Sequence, residues 1–222
     1  MSFEFEERAS DSPLVEKVWR TASLRAESFT SIAASNIELV VTRFQGRTSL
    51  TLRGPETRAT LAQSPAGAEH FGIVFRLGAF LPEFPPATLI DRQDRTLPEA
   101  SGRSFWLSGS AWELPDFGNA DTFVERLARQ ELLVWDGLVG DVLAGQPQDL
   151  TGRHVRRRFL RATGLTPGAI LRIERVRFAV QLAGAARPAL TPAAPMSLLY
   201  KTHPDCGAMM AYVQPITEGI RT

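Results

Sequence analysis

From Ile37 to Arg53, apolar and polar residues alternate on both sides of Gln45-Gly46. A period of two is that of a half-buried strand, so the run predicts a hairpin, with Leu39, Val41, Leu50 and Leu52 on its buried face. Phe71 to Leu77 is a short continuous apolar run and predicts another buried strand. Between them lie Gly54-Pro55, Gln63-Ser64-Pro65 and Gly67, turn signals at the close spacing of a small barrel or sandwich. Pro82, Pro85 and Pro86 then interrupt the chain, and no helix runs through residues with a fixed φ and no N–H.

From Asn119 the period becomes helical. Asp121 is the expected N-cap of a helix whose face carries Phe123, Leu127, Leu132 and Leu133. A second helix is predicted from Asp136 to Ala144, striped by Leu138, Val139, Val142 and Leu143 and stopped by Gly145-Gln146-Pro147. Thr151 is the expected N-cap of a third, running through Arg161. Its Val155, Phe159 and Ala162 point inward, its Arg153, Arg156 and Arg157 point out, and Gly164 ends it. Thr166-Pro167-Gly168 opens a fourth helix, Ala169 to about Ala183, with Ile170, Ile173, Val176, Phe178, Val180 and Leu182 as its apolar residues.

The composition, 44% hydrophobic and 22% charged, is that of a soluble globular protein of one or two domains; collagen-like, mucin-like and wholly disordered chains are excluded. No stretch approaches the roughly 20 apolar residues of a membrane span, and Met1 to Glu7 is acidic where a secretory signal is basic and then apolar, so a cytoplasmic protein with no membrane partner is expected. A single cysteine, Cys206, closes no intramolecular disulfide and makes no thiolate zinc site. Charge is divided sharply. Residues 1–150 carry 21 acids and 14 bases, a balance of −7, whereas residues 151–182 carry eight arginines and one acid, Glu174, a balance of +7. A basic segment on an otherwise acidic chain points to a polyanion, and nucleic acid is the commonest inside a cell.

The segment Asp149-Leu-Thr-Gly-Arg-His-Val-Arg-Arg-Arg-Phe-Leu-Arg-Ala-Thr-Gly-Leu-Thr-Pro-Gly168, followed by an arginine-bearing helix, resembles the first half of the DNA-binding domain of AraC/XylS-type bacterial transcriptional regulators. The shared pattern is a hydroxyl residue opening the recognition helix, an apolar-x-Arg-x-Phe core, Thr-Gly-Leu-Thr-Pro and a long linker helix. Residues 12–147 look like the amino-terminal region of a bacterial subgroup of these regulators, notably at Phe71-Gly-Ile-Val-Phe-Arg-Leu-Gly-Ala-Phe80, Ser104-Phe-Trp-Leu-Ser-Gly-Ser-Ala-Trp112 and Asn119-Ala-Asp-Thr-Phe-Val124.

The resemblance implies a sequence-specific regulator that binds double-stranded DNA through residues 151–162 in the major groove. Its DNA-binding candidates are Thr151, Arg153, His154, Arg156, Arg157 and Arg161. Arginines near the start of such a helix reach base edges, where a guanidinium donates two hydrogen bonds to guanine, while Thr151 and Arg161 suit phosphate positioning and Arg158 suits a structural role. The family's second helix-turn-helix unit has no counterpart after Leu182. The chain continues instead as Gly184-Ala-Ala-Arg-Pro-Ala-Leu-Thr-Pro-Ala-Ala-Pro195 and then Met196 to Thr222 without a clear period. Nor is there room for a positioning helix between Ala144 and Thr151, so the Asp136 to Ala144 helix takes that role.

The fold expected is α+β: a β-rich, cupin-like barrel or sandwich followed by a helical, helix-turn-helix-type part. The divisions are a sensing or dimerising domain at 1–117, linking helices at 118–148, the partial helix-turn-helix at 149–183, and a Pro/Ala-rich linker with a weakly ordered tail at 184–222. The first domain is expected to bind a small effector or a second copy of the chain. Phe44, Phe71, Phe75, Trp106 and Trp112 are its candidates for a pocket or, as strand aromatics more often are, for core. No cofactor and no metal is expected, since His70, His154 and His203 lack ligand spacing. No nucleophile elbow, P-loop or dinucleotide fingerprint occurs, so the chain reads as a non-enzyme. The missing second unit keeps an alternative open, a truncated module without useful DNA affinity that binds a ligand or pairs with an intact relative.

Overall fold

The computed structural model describes residues 3–91 and 94–185. The reading of 184–222 as linker and tail lies, from residue 186 on, outside the described residues. The chain is mixed α and β, strand-rich first and helical later. Its largest sheet is antiparallel and six-stranded: β1 (Phe3–Arg8), β2 (Val15–Ser23), β4 (Glu38–Phe44), β5 (Arg47–Arg53), β7 (Glu69–Phe75) and β9 (Arg95–Leu97), in the order β1-β2-β7-β4-β5-β9. The predicted hairpin is β4–β5, with Leu39 opposite Leu52 and Val41 opposite Leu50, all four buried. Its turn places Gln45 and Gly46 at φ of 50° and 74°, the left-handed pair that matches the twist of a two-residue hairpin. The apolar run at Phe71 is the central strand β7, where Phe71 to Phe75 are all buried.

Of the barrel or sandwich expected, the barrel is not formed among the described residues. The large sheet ends at β1 on one side and β9 on the other, and the remaining strands make small antiparallel sheets. These pair β3 (Glu27–Ser31) with β6 (Thr60–Ser64), β8 (Ala79–Phe80) with β13 (Val134–Trp135), and β10 (Glu99–Ser101) with β11 (Ser104–Leu107) and β12 (Ser110–Glu113). The prolines explain part of this, because the chain leaves β8 for Pro82, Pro85 and a one-turn 3-10 helix, Pro86–Thr88, and so cannot extend the sheet.

One apolar core joins sheet and helices. Leu39, Val41, Leu50, Leu52, Ile73 and Phe75 share it with Trp112, Phe123, Leu127, Val139, Phe159 and Ile170. On the opposite face of the sheet Trp19 lies across Gly72, where a Cβ would come within 2.2 Å of the indole, and stacks on Phe5 at 6.2 Å and 12°.

The first helix, α1 (Ala120–Arg129), starts after Asn119 rather than after the expected cap Asp121, and Asn119 makes no side-chain cap hydrogen bond. The Asp116 carboxylate accepts from the N–H groups of Gly118 and Asn119 and turns the chain into the helix two residues earlier. Asp121 instead pairs with Arg8 at 2.8 Å. Leu132 and Leu133 fall beyond the helix, which stops at Gln130 before Glu131 at φ 58°. The second helix, α2 (Leu138–Leu143), is shorter than expected because the Asp136 carboxylate accepts from the Leu138 N–H and turns the chain there. The third, α3 (Gly152–Thr163), and the fourth, α4 (Pro167–Ala185), flank Gly164. On α4 Ile170 and Ile173 are buried, whereas Val176, Phe178, Val180 and Leu182 are exposed among the described residues. Their spacing of two scatters them around a helix instead of aligning them on one face.

Candidate nucleic-acid interface

Thr151 stands in extended backbone (φ −61°, ψ 145°), and its hydroxyl accepts from the His154 N–H at 3.4 Å and meets His154 Nδ1 at 3.0 Å. This is the side-chain cap that a helix start needs. At the other end Gly164 adopts φ +71° and its N–H donates to the Leu160 carbonyl at 2.8 Å. The Thr163 hydroxyl, buried, donates to the Phe159 carbonyl at 2.8 Å.

Within α3 the buried and exposed faces are set by the 3.6-residue period. Phe159 and Ala162 are buried and Val155 half-buried, and at about 100° per residue the three fall within roughly 60° of each other. Arg153 and Arg157 lie on the opposite side within roughly 40°, flanked by Arg156 and Arg161. All four are exposed, as is His154. Arg153, Arg156 and Arg157 make no ion pair among the described residues, so their guanidinium groups are free for another partner. Arg161 differs, its guanidinium lying 5.9 Å from the centre of the Phe80 ring. Arg158 is committed to Asp136 through two bonds, Nε to Oδ2 at 3.0 Å and Nη2 to Oδ1 at 2.6 Å. That fork ties α3 to the segment leading into α2. The sequence marked Arg158 as structural but gave no sign of Asp136, which lies 22 positions away.

The helix is also fixed to the strand-rich part. Gly164 sits on the Pro86–Thr88 turn, where a Cβ would lie 2.7 Å from the Ala87 nitrogen. Beyond it α4 reaches the connection between β3 and β4 through Glu174, which accepts from the Ser35 hydroxyl and pairs with Arg177 at 3.2 Å. Glu16, on β2, accepts from Asn36 at 2.8 Å. Burial pushes its carboxyl above the ordinary range, and the nearby Arg177 opposes that.

Of the aromatic pocket candidates, Phe75 is fully buried and Trp112 packs edge-on against Phe123 at 6.2 Å, both in the core. Trp106 is exposed, Phe44 half-buried, and Phe71 alone of the five lines the cavity of about 610 Å³ at one end of the sheet. The charged lining of that cavity, Arg20, Arg43 and Glu69 among it, is brought together by strand register, which no local motif announces. His70 is held by two hydroxyls, Thr42 at 3.1 Å on Nδ1 and Ser64 at 3.2 Å on Nε2. Burial, with Arg53 nearby, lowers its pKa. No group of three or more metal-ligating side chains forms among the described residues, and none of their helices is long and apolar enough to cross a membrane. No protein-family model matches the chain, and neither the curated proteins nor the solved structures contain a match.

Proposed function

We propose that the protein is a cytoplasmic, DNA-binding transcriptional regulator of the AraC type, a binding protein rather than an enzyme, with α3 as its recognition helix. The observation that carries this reading is the outward ridge of Arg153, Arg156 and Arg157 on a helix whose opposite face is locked into the core. Such a ridge suits the major groove: the capped amino-terminal turn approaches a phosphate, the ridge arginines reach base edges, and Arg161 steadies the backbone. In this reading α2, held by Asp136–Arg158, and α3 form the helix-turn-helix, and the strand-rich part is a cupin-like sensing or pairing domain. A single unit neutralises few phosphates, and a second copy of the chain supplies the remainder by presenting a second α3 at high effective concentration.

Fluorescence-anisotropy titration of mixed-sequence duplex DNA at two salt concentrations tests the proposal. The intact chain is compared with an Arg153→Ala, Arg156→Ala, Arg157→Ala variant and with a variant that loses three exposed arginines of the strand-rich part, Arg25, Arg58 and Arg95. Every phosphate that the protein no longer neutralises flattens the slope of log K against log salt by about 0.9. The α3 variant is expected to lose binding and salt dependence and the control to keep both. Equal loss in the two variants, or no binding by the folded intact chain at low salt, refutes the proposal; the second result favours the truncated-module alternative.

A further inference from the structure

The cavity of about 610 Å³ opens where one end of β1, β2, β7 and β4 meets the turn at Asp116–Gly118. Two rows of cross-strand partners build its wall on the core-facing side of the sheet. The inner row is Glu6, Arg20, Phe71 and Val41; the outer row, two residues further along each strand, is Glu4, Ala22, Glu69 and Arg43. Val41 and Phe71 are buried members of the core and make an apolar floor. Phe117 covers one side, with the Arg20 guanidinium 4.6 Å from its ring centre.

The charges do not cancel. Arg20 is neutralised by its ion pair with Glu6, and the Asp116 carboxylate is occupied by the N–H groups of Gly118 and Asn119. Glu4, Glu69 and Arg43 are exposed, and their side chains carry no ion pair or hydrogen bond among the described residues. Two free carboxylates against one free guanidinium leave a negative rim over an apolar floor, in a volume typical of sites for small organic ligands.

We propose that this cavity binds a small organic cation, its apolar ring body on Val41 and Phe71 and its positive nitrogen at Glu4 and Glu69. The inference deepens the reading of the strand-rich part as a sensing domain; its test contains no DNA, so its failure leaves the assignment of α3 untouched. The test uses the full chain and two fluorescent dyes that share a xanthene ring frame and differ in charge, rhodamine 6G (cationic) and fluorescein (anionic), each titrated by anisotropy. Saturable rhodamine binding is expected, at least about tenfold tighter than fluorescein, a difference of about 1.4 kcal/mol. The double variant Glu4→Gln, Glu69→Gln weakens rhodamine binding by about tenfold, while Arg43→Gln leaves it equal or tighter. All three side chains are exposed, and an unchanged circular dichroism spectrum confirms that the variants fold. Fluorescein binding as tightly as rhodamine, saturation by neither dye, or rhodamine binding that ignores the double variant overturns the proposal.

Discussion

Replacing Gly164 by alanine imposes two costs on the joint between α3 and the strand-rich part. The residue sits at φ +71°, where an L side chain costs about 1–2 kcal/mol. The added methyl would also lie 2.7 Å from the Ala87 nitrogen, 2.8 Å from the Pro86 carbonyl carbon and 3.0 Å from the Ala87 Cα. These are backbone atoms of the Pro86–Thr88 turn and cannot swing aside as a side chain does, so α3 or the turn must shift, for about another 1–3 kcal/mol. The sum, about 2–5 kcal/mol, is a large part of the stability of an ordinary domain. Gly152→Ala is the control. It lies in the first turn of α3 with nothing within 4 Å of the new methyl, and it is expected to be neutral or to gain up to about 1 kcal/mol from helix propensity. Thermal unfolding followed by circular dichroism reads both, and at about 2–4 °C per kcal/mol Gly164→Ala should melt at least about 4 °C below the parent. Equal melting temperatures for the two variants would show that α3 is not seated on the turn as described.

Thr151→Ala removes the hydroxyl cap of α3 and should cost about 1 kcal/mol in urea denaturation, with Thr151→Ser restoring most of it; an alanine variant as stable as the parent contradicts the cap. Burial raises the folded-state pKa of Glu16 above its ordinary 4.5, so the native chain holds that proton more tightly than the unfolded one. Stability should therefore fall as pH rises from 4.5 through the raised value, and Glu16→Gln should abolish that fall in urea unfolding across the range; the same slope in both proteins contradicts it. For His70 the shift is downward from 6.5, through burial and then Arg53, so the unfolded chain takes up the proton first on acidification. Its contribution is fully present above 6.5 and lost as pH falls through the lowered value; an imidazole NMR titration with its midpoint at or above 6.5 contradicts this.

Local periodicity carried much of the architecture. The hairpin β4–β5 was legible because alternation and a two-residue turn state one geometry together, and α3 was legible because Thr151 and Gly164 bracket a helical stripe. What failed depends on partners distant in sequence. Helix α1 starts at Ala120, so Asp121 lies inside its first turn and pairs with Arg8, a partner that only the fold brings to it. Whether the large sheet closes into a barrel or stays open, as it does, turns on which edges find partners, which turn signals do not encode. In α4 the apolar residues Val176, Phe178, Val180 and Leu182 stand at a spacing of two, which on a helix leaves them exposed. At the candidate interface the exposed arginines of α3 were legible as a charge run. The commitment of Arg158 to Asp136 and the two-row wall of the cavity were not, because both arise from tertiary juxtaposition.

Titrating a short duplex into the isotopically labelled chain and following backbone amides by NMR tests whether α3 is the surface that meets DNA. If it is, shifts concentrate at residues 151–161 and the amides of β4, β5 and β7 stay unmoved. Shifts centred on the strands, or a spectrum that DNA does not perturb at low salt, would contradict it.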